Sequence, residues 1–149
     1  GSEMCIRDRA YPSLSPDERW LAHASDVSGD FEVYVQPFPE LGAIVRVSPN
    51  GGHEPLWAPS GDRLYYRSGN GARVYAVDIL GHDPLRFGRE ELLFEGDFAG
   101  GVVFGSKWDI HPEGDRFLML LIEHPEAPPG IHVVTNWFAE LERLVPSGG

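Results

Sequence analysis

The stretch that decides the fold is His53–Ile79, whose sequence is HEPLWAPSGDRLYYRSGNGARVYAVDI. It contains three segments typical of β-strands, separated by two segments typical of turns. Pro59 presets its φ angle and Gly61 tolerates a positive φ, so residues 58–62 are predicted to reverse the chain. Asn70-Gly71 predicts a second hairpin turn. We therefore expect three consecutive antiparallel strands in this stretch.

Two weaker copies of the first turn lie on either side of it. SPDER at 15–19 and HPEGD at 111–115 align with APSGD at 58–62, and their prolines are 43 and then 53 residues apart. Two apolar strand segments follow each turn. Self-similarity at about 40–50 residues is typical of a propeller blade. We predict an all-β chain, a partial β-propeller of about three four-stranded antiparallel blades; the alternative is an unrelated β-sandwich whose turns contain Pro and Gly.

The repeat also resembles a known family. Its order is a Ser-Pro-Asp or Ser-Gly-Asp-Arg turn, a Tyr-Val type of strand, and Gly-Gly-x-Glu-Pro-x-Trp, and it resembles the WD-like repeat of TolB-like β-propellers. The matching residues are Ser15, Pro16, Asp17, Arg19, Val33, Tyr34, Val35, Gly51, Gly52, Glu54, Pro55, Trp57, Pro59, Gly61, Asp62, Arg63 and Tyr75. The chain departs from the pattern at Glu18, where glycine is usual, and at Glu113, where aspartate is usual.

The residues expected to define each blade structurally are Pro16, Asp17, Trp57, Pro59, Gly61, Asp62, Pro112, Gly114 and Asp115. The resemblance is specific for the fold and weak for function, because the family is defined by its blade. The family that the repeat resembles includes propellers attached to bacterial receptor-like serine/threonine kinases and TolB-type proteins.

The predicted organisation follows the repeat. Blades are expected at about 10–52, 53–97 and 98–135, with residues 81–88 as a loop inside the second. Residues 1–9 match nothing in the repeat and are expected to be a non-native or disordered head. A short helix and tail are expected at 136–149, where Trp137, Leu141, Leu144 and Val145 share one helical face. Since a closed propeller has about 4–8 blades, the chain should belong to a longer propeller or assemble with other copies.

Charge and composition limit the partners. The net charge is −11, which disfavours nucleic acid and anionic membrane surfaces as ligands. The longest apolar run, Phe117–Ile122, falls far short of the roughly 20 residues of a membrane helix. A single cysteine, Cys5, excludes an internal disulfide and leaves the redox compartment open. Localisation is therefore unknown, and only the resemblance favours an extracytoplasmic site.

No motif indicates a reaction centre. The six histidines form no short ligand-spaced pair, and the turn Asp26–Asp30 lacks the rest of a calcium loop. Gly-x-Ser-x-Gly, kinase signatures and phosphate-binding glycine loops are absent from the sequence. The aromatic residues Trp20, Trp57, Tyr65, Tyr66, Tyr75 and Trp108 are expected to pack between sheets rather than to form a ligand platform. We therefore assign no catalytic, cofactor-binding or metal-binding residue, and no cofactor.

The expected function is a non-enzymatic binding, sensing or scaffold module that recognises a protein, peptide or small ligand. Its other partners would be the remaining blades of a parent chain or further copies of itself. The alternative is the gating propeller of a prolyl-oligopeptidase-type serine peptidase, whose catalytic domain would lie outside this chain.

Overall fold

The structure is a computed structural model that describes residues 9–40, 42–99 and 105–122, together with the backbone of 132–134. These residues form eleven strands arranged in three antiparallel sheets. No helix long and apolar enough to cross a membrane occurs in these ranges. The prediction of an all-β partial propeller is confirmed. The predicted C-terminal helix and residues 1–8 of the predicted head lie outside the described residues.

Each sheet follows chain order. The first contains β1 (Arg9–Leu14), β2 (Trp20–Ser25), β3 (Glu32–Pro37) and β4 (Val45–Arg46). The second contains β5 (His53–Trp57), β6 (Arg63–Arg67), β7 (Arg73–His82) and β8 (Leu85–Glu95). The third contains β9 (Trp108–Ile110), β10 (Phe117–Met119) and β11 (His132–Val134), with β10 in the centre. A fourth strand of the third sheet is not among the described residues.

The prediction of a loop at 81–88 is wrong. Strand β7 continues to His82, β8 begins at Leu85, and Ile79 pairs with Phe87. The physical reason is burial, because Leu85 is only 9% exposed and joins the core between the first two sheets. The register shifts of this hairpin accommodate the glycines at positions 81 and 88 within the strands.

Two hydrophobic clusters hold the three sheets together. In one cluster, Ala22, Val33 and Val35 of the first sheet pack against Leu64, Tyr66 and Val77 of the second. In the other, Tyr65, Val74 and Ala76 of the second sheet pack against Trp108, Phe117 and Met119 of the third. The alternation of side chains along β6 sends Leu64 and Tyr66 to one neighbour and Tyr65 to the other. The second sheet is thus apolar on both faces.

Close packing against β6 makes Gly52 a sensitive position. A Cβ at residue 52 would lie 2.7 Å from Tyr66 Cδ2 and 3.1 Å from the Arg67 carbonyl oxygen. We expect Gly52→Ala to lower the free energy of unfolding by about 1–3 kcal/mol, as overpacking does. Chemical denaturation monitored by circular dichroism measures it. Gly69→Ala is the matched control, since a Cβ there meets nothing within 4 Å; equal losses in the two variants would contradict the packing described.

A buried histidine makes stability depend on pH. His23 is 4% exposed, stacks on Tyr34 at a ring-centroid distance of 6.1 Å, and has no described hydrogen-bond partner at Nδ1. Burial, and secondarily the charge of Arg9, lowers the pKa of His23 from 6.5. The unfolded chain therefore takes up this proton at a higher pH than the folded chain does, and acidification favours unfolding.

We expect the free energy of unfolding to fall as the pH is lowered from 7 through 6.5 towards the folded pKa of His23. In His23→Gln, which cannot titrate, this part of the pH dependence should disappear. Urea denaturation at a series of pH values measures both chains. If the free energy of unfolding of His23→Gln depends on pH as steeply as that of the unsubstituted chain, another group is responsible.

Candidate functional site

Two equivalent dipeptides give an unusual backbone to β1 and β5, the first strands of the first two sheets, which we call the inner strands. Tyr11-Pro12 in β1 and Glu54-Pro55 in β5 occupy the same place relative to the repeat prolines Pro16 and Pro59. Tyr11 has φ 54° and Glu54 has φ 51°, and each lies where the strand register shifts. Positive φ is uncommon outside glycine and persists only where the surrounding structure enforces it. The two bulges are therefore fixed features of neighbouring strands, since β1 packs against β5.

These bulges border a cleft of about 490 Å³. This volume lies within the range of roughly 300–1,000 Å³ that is typical of small-ligand sites. The cleft draws residues from all three repeats: Ala10, Tyr11, Pro12, Ser13, Phe31, Glu54, Pro55, Leu56, Gly105 and Ser106. Most of the side chains are apolar, and no lysine or arginine is among them. We call this site the inner-strand cleft.

Beneath the cleft, the Glu54 carboxylate faces into the protein. Glu54 is 1% exposed, and its Oε2 accepts a hydrogen bond from the Lys107 backbone N–H at 2.9 Å. The Glu54 carbonyl oxygen accepts a second bond from Trp108 Nε1 at 3.0 Å. Through these bonds a residue of β5 fixes the start of β9, so one wall of the cleft is tied to the third sheet.

Arg67 balances this buried carboxylate. It is fully buried, and its Nη1 lies 3.4 Å from Glu54 Oε2. The other guanidinium nitrogens donate to backbone carbonyls, with Nη2 at 2.6 Å from Gly71 O and 2.8 Å from Ala99 O. Burial lowers the pKa of Arg67 from its ordinary value, yet a guanidinium remains charged in proteins. The cation is thus satisfied on several sides, which a buried ion pair requires.

The charge state of Glu54 follows from its partners. Burial alone would raise the pKa of Glu54, but His53, the Lys107 N–H and the Arg67 charge together lower it below 4.5. The His53 ring is 2% exposed, and its Nδ1 lies 3.3 Å from Glu54 Oε1 without the alignment of a good hydrogen bond. Glu54 is therefore ionised at neutral pH, and its charge is compensated from within.

The cleft consequently presents an uncharged surface. Burial, followed by the nearby Glu54 charge, raises the pKa of Tyr11 above 10, so its hydroxyl stays protonated. The Ser106 hydroxyl donates to the Trp108 carbonyl oxygen at 2.8 Å. No pair of a nucleophile and a base occurs among the residues that line the cleft. The geometry suits the binding of an apolar group, with Tyr11 and Ser13 offering hydroxyls.

The residues predicted as the blade signature lie elsewhere, in turns and in the core. A Cβ at Gly61 would lie 3.9 Å from Pro16 Cδ, and one at Gly114 would lie 3.6 Å from Pro59 Cδ, so successive turns stack on one another. Trp57 Nε1 donates to the Ser13 carbonyl oxygen at 3.1 Å, which links the first two sheets.

The acidic signature residues stabilise local turns. Asp17 accepts hydrogen bonds from Ser15 Oγ at 2.6 Å and from the Arg19 N–H at 3.2 Å. Asp62 accepts a bond from Ser60 Oγ. Asp115 pairs with Arg116 at 3.0 Å, in the turn that contains Pro112. None of the nine signature residues lines the inner-strand cleft.

The departure from the family pattern at Glu18 leaves the turn geometry intact. Glu18 has φ 58°, close to the 76° of Gly61 and the 75° of Gly114. The same left-handed residue therefore closes all three turns, although a side chain at that position is strained.

The possible metal ligands do not form a convincing site. In the described part of the chain, one three-residue cluster, His111, Glu113 and Asp115, brings its ligand atoms within 4.8 Å of one another. Arg116 already pairs with both Glu113, at 3.2 Å, and Asp115 on this exposed turn. In the turn Asp26–Asp30, Ser28 Oγ donates a hydrogen bond to Glu32 Oε2 at 2.7 Å.

Comparison with known proteins supports the fold. No protein-family model matches the chain, and no curated protein matches it. Among solved structures, the chain is similar to a TolB from Acinetobacter baumannii, with a TM-score of 0.57, 18% identity and coverage of 85% of this chain and 32% of that one. A putative TolB from Agrobacterium tumefaciens has a TM-score of 0.55 and 18% identity, over 74% of this chain and 37% of that one.

An oligogalacturonate lyase from Vibrio parahaemolyticus is also similar, with a TM-score of 0.53 and 16% identity over 76% of this chain and 28% of that one. The chain thus spans about a third of the length of these structures. At these identities the similarity shows the fold alone, a β-propeller type that occurs in the two TolB structures and in the lyase.

Proposed function

We propose that the chain is a non-enzymatic recognition module that binds an uncharged apolar group of a protein, peptide or small ligand in the inner-strand cleft. The observation that carries this proposal is the cleft itself, about 490 Å³ in volume and bordered by two enforced positive-φ residues. Most of its lining residues belong to strands β1 and β5, which hold a binding surface in place at little entropic cost.

The electrostatics support binding rather than proton transfer. In a chain with a net charge of −11, the cleft is lined by one carboxylate, and that carboxylate is buried and already paired. A charged ligand would find no counter-ion there and would lose its hydration. An apolar ligand would instead displace water from Pro12, Phe31 and Leu56, which is favourable.

The proposal can be tested by nuclear magnetic resonance of the labelled chain, titrated with a pool of short, end-blocked, uncharged peptides containing aromatic and aliphatic residues. We expect chemical-shift changes at Phe31, Leu56 and Ser106. Ser106→Arg should abolish them, because the long charged side chain enters the cleft. Ser60→Arg, at an exposed turn outside the cleft, is the matched control. Absence of shifts at these residues, or equal binding by both variants, would refute the proposal.

A scaffold role has a separate observation in its favour. Leu118 in β10, and Leu120 and Ile122 in the segment directly after it, are 43%, 46% and 56% exposed. Leu118 follows its repeat proline at the same distance as Ala22 and Tyr65, which are both buried against the next sheet. We infer that this row packs against a further sheet, from the rest of a propeller or from a second copy.

Light scattering over a wide concentration range tests self-association through this row. A concentration-dependent increase in mass should be lost in Leu120→Glu and kept in Leu80→Glu, which changes an equally apolar and 62% exposed residue on the β7–β8 hairpin. A wild-type chain that stays monomeric throughout would exclude the second copy as the partner.

A further inference from the structure

Two Asn-Gly pairs occur in the chain, Asn50-Gly51 in the connection from β4 to β5 and Asn70-Gly71 in the turn between β6 and β7. Both asparagines are exposed. Glycine after asparagine leaves the following amide nitrogen unhindered, which permits that nitrogen to attack the asparagine side chain. The two pairs are identical in sequence, so any difference between them must come from the fold.

At Asn70 other hydrogen bonds hold both the Gly71 nitrogen and the asparagine side chain. The Gly71 N–H donates to the Ser68 carbonyl oxygen at 2.7 Å. The Asn70 Oδ1 accepts from Ser68 Oγ at 2.6 Å and from the Ala72 N–H at 3.1 Å, which fixes the side chain in an Asx turn. The Gly71 nitrogen is therefore already a hydrogen-bond donor, and rotation of the Asn70 side chain would break two hydrogen bonds.

At Asn50 the corresponding nitrogen and side-chain carbonyl group make no such hydrogen bonds within the described residues. The Gly51 N–H has no hydrogen bond to any residue that the structure describes. The Asn50 side chain makes one bond, from Nδ2 to Glu90 Oε1 at 2.7 Å, and this bond leaves its carbonyl group without a partner in the described residues. The nitrogen of Gly51 is free to react, and Gly51 already takes φ 82° in a turn.

We propose that Asn50 is a site of spontaneous deamidation and that Asn70 is protected by the fold. The Gly51 nitrogen forms a bond to the Asn50 side-chain carbonyl carbon, and the bond from that carbon to Nδ2 breaks. The leaving nitrogen departs as ammonia and takes up the amide proton. Water then adds to either carbonyl of the resulting succinimide and gives aspartate or isoaspartate at position 50, with no oxidation or reduction.

The product would change the link between the first two sheets. Glu90 is held in place from its other side, because the hydroxyl of the fully buried Tyr66 donates to Glu90 Oε2. A new carboxylate at position 50 would therefore lose the hydrogen bond to Glu90 and face a negative charge that cannot easily turn away. Like charges at this separation repel each other even near the surface. Deamidation would thus loosen this connection irreversibly.

Peptide mapping by mass spectrometry of protein kept at neutral pH and body temperature tests the proposal. We expect the deamidated fraction at Asn50 to exceed that at Asn70 several-fold. The same chain unfolded in urea is the control, since there the two pairs should react at similar rates. Equal rates in the folded chain, or faster reaction at Asn70, would overturn the proposal.

Substitutions test the consequence separately. Asn50→Asp should lower the midpoint of thermal unfolding, whereas Asn70→Asp should change it little, because aspartate accepts the same bonds in the Asx turn. In a Glu90→Gln background the effect of Asn50→Asp should shrink, as a double-mutant cycle would measure. An effect of Asn50→Asp that is the same in both backgrounds would overturn the proposed repulsion.

Discussion

Replacing Arg67 with methionine is expected to lower the free energy of unfolding by about 3–5 kcal/mol, because the Glu54 carboxylate would remain buried without its cation. Both side chains are completely buried, and Arg67 also donates to the Gly71 and Ala99 carbonyl oxygens. Methionine keeps most of the apolar volume, so the loss reports the charge and the hydrogen bonds. Urea denaturation followed by circular dichroism measures it.

Arg73→Met is the matched control. Arg73 pairs with Glu95 at 3.0 Å, but the two side chains are 54% and 63% exposed, so water replaces the lost partner. The double variant Arg67→Met, Glu54→Gln should recover part of the stability lost in Arg67→Met, since no unpaired charge is then buried. If Arg67→Met is no more costly than Arg73→Met, the buried ion pair does not stabilise the protein as described.

Replacing Trp57 with alanine is expected to cost about 3–5 kcal/mol, the range for truncating a large buried aromatic side chain. Trp57 is 6% exposed and packs in the cluster that joins the first two sheets. Its indole N–H also donates to the Ser13 carbonyl oxygen of β1 at 3.1 Å. The substitution removes both the packing and the bond, and chemical denaturation measures their sum.

Trp57→Phe separates the two contributions, because phenylalanine keeps an aromatic ring and loses the N–H donor. We expect a smaller loss, with a hydrogen-bond component of about 1 kcal/mol. A loss below about 1 kcal/mol in Trp57→Ala would mean that the first two sheets do not depend on this contact.

Local chemistry made most of the fold predictable. Pro59 with Gly61, and Asn70 with Gly71, each have a turn-forming preference that does not depend on the rest of the chain, and the turns occur where they indicate. The loop predicted at 81–88 failed for the opposite reason. There Leu85 is drawn into a sheet by a core that its neighbours in sequence do not reveal.

The inner-strand cleft could not be predicted, because it depends on residues distant in sequence. Tyr11 and Glu54 are 43 residues apart and become neighbours only when β1 lies beside β5. The signal that was present, an x-Pro dipeptide at the same place in two repeats, indicated a repeat rather than a site. Positive φ at a tyrosine and a glutamate is not visible in sequence.

The buried ion pair illustrates the same limit. Arg63 and Arg67 lie on one face of β6 and look alike in sequence, yet Arg63 pairs with Asp78 at the surface whereas Arg67 is fully buried. What separates them is the chain near Ala99 and Lys107, which contacts the Arg67 end of the strand. No alternation of apolar and polar residues encodes that contact.

The two-faced second sheet gives the protein a built-in order of disassembly. Among the residues that the structure describes, it contributes to both hydrophobic clusters, whereas the first and third sheets contribute to one each. Stability in such an array is close to a sum of nearest-neighbour terms. Either outer sheet can therefore detach at the loss of one interface, while the middle sheet opens only at the loss of two. Among the described strands, β5–β8 would be the last to unfold under mechanical load or protease attack.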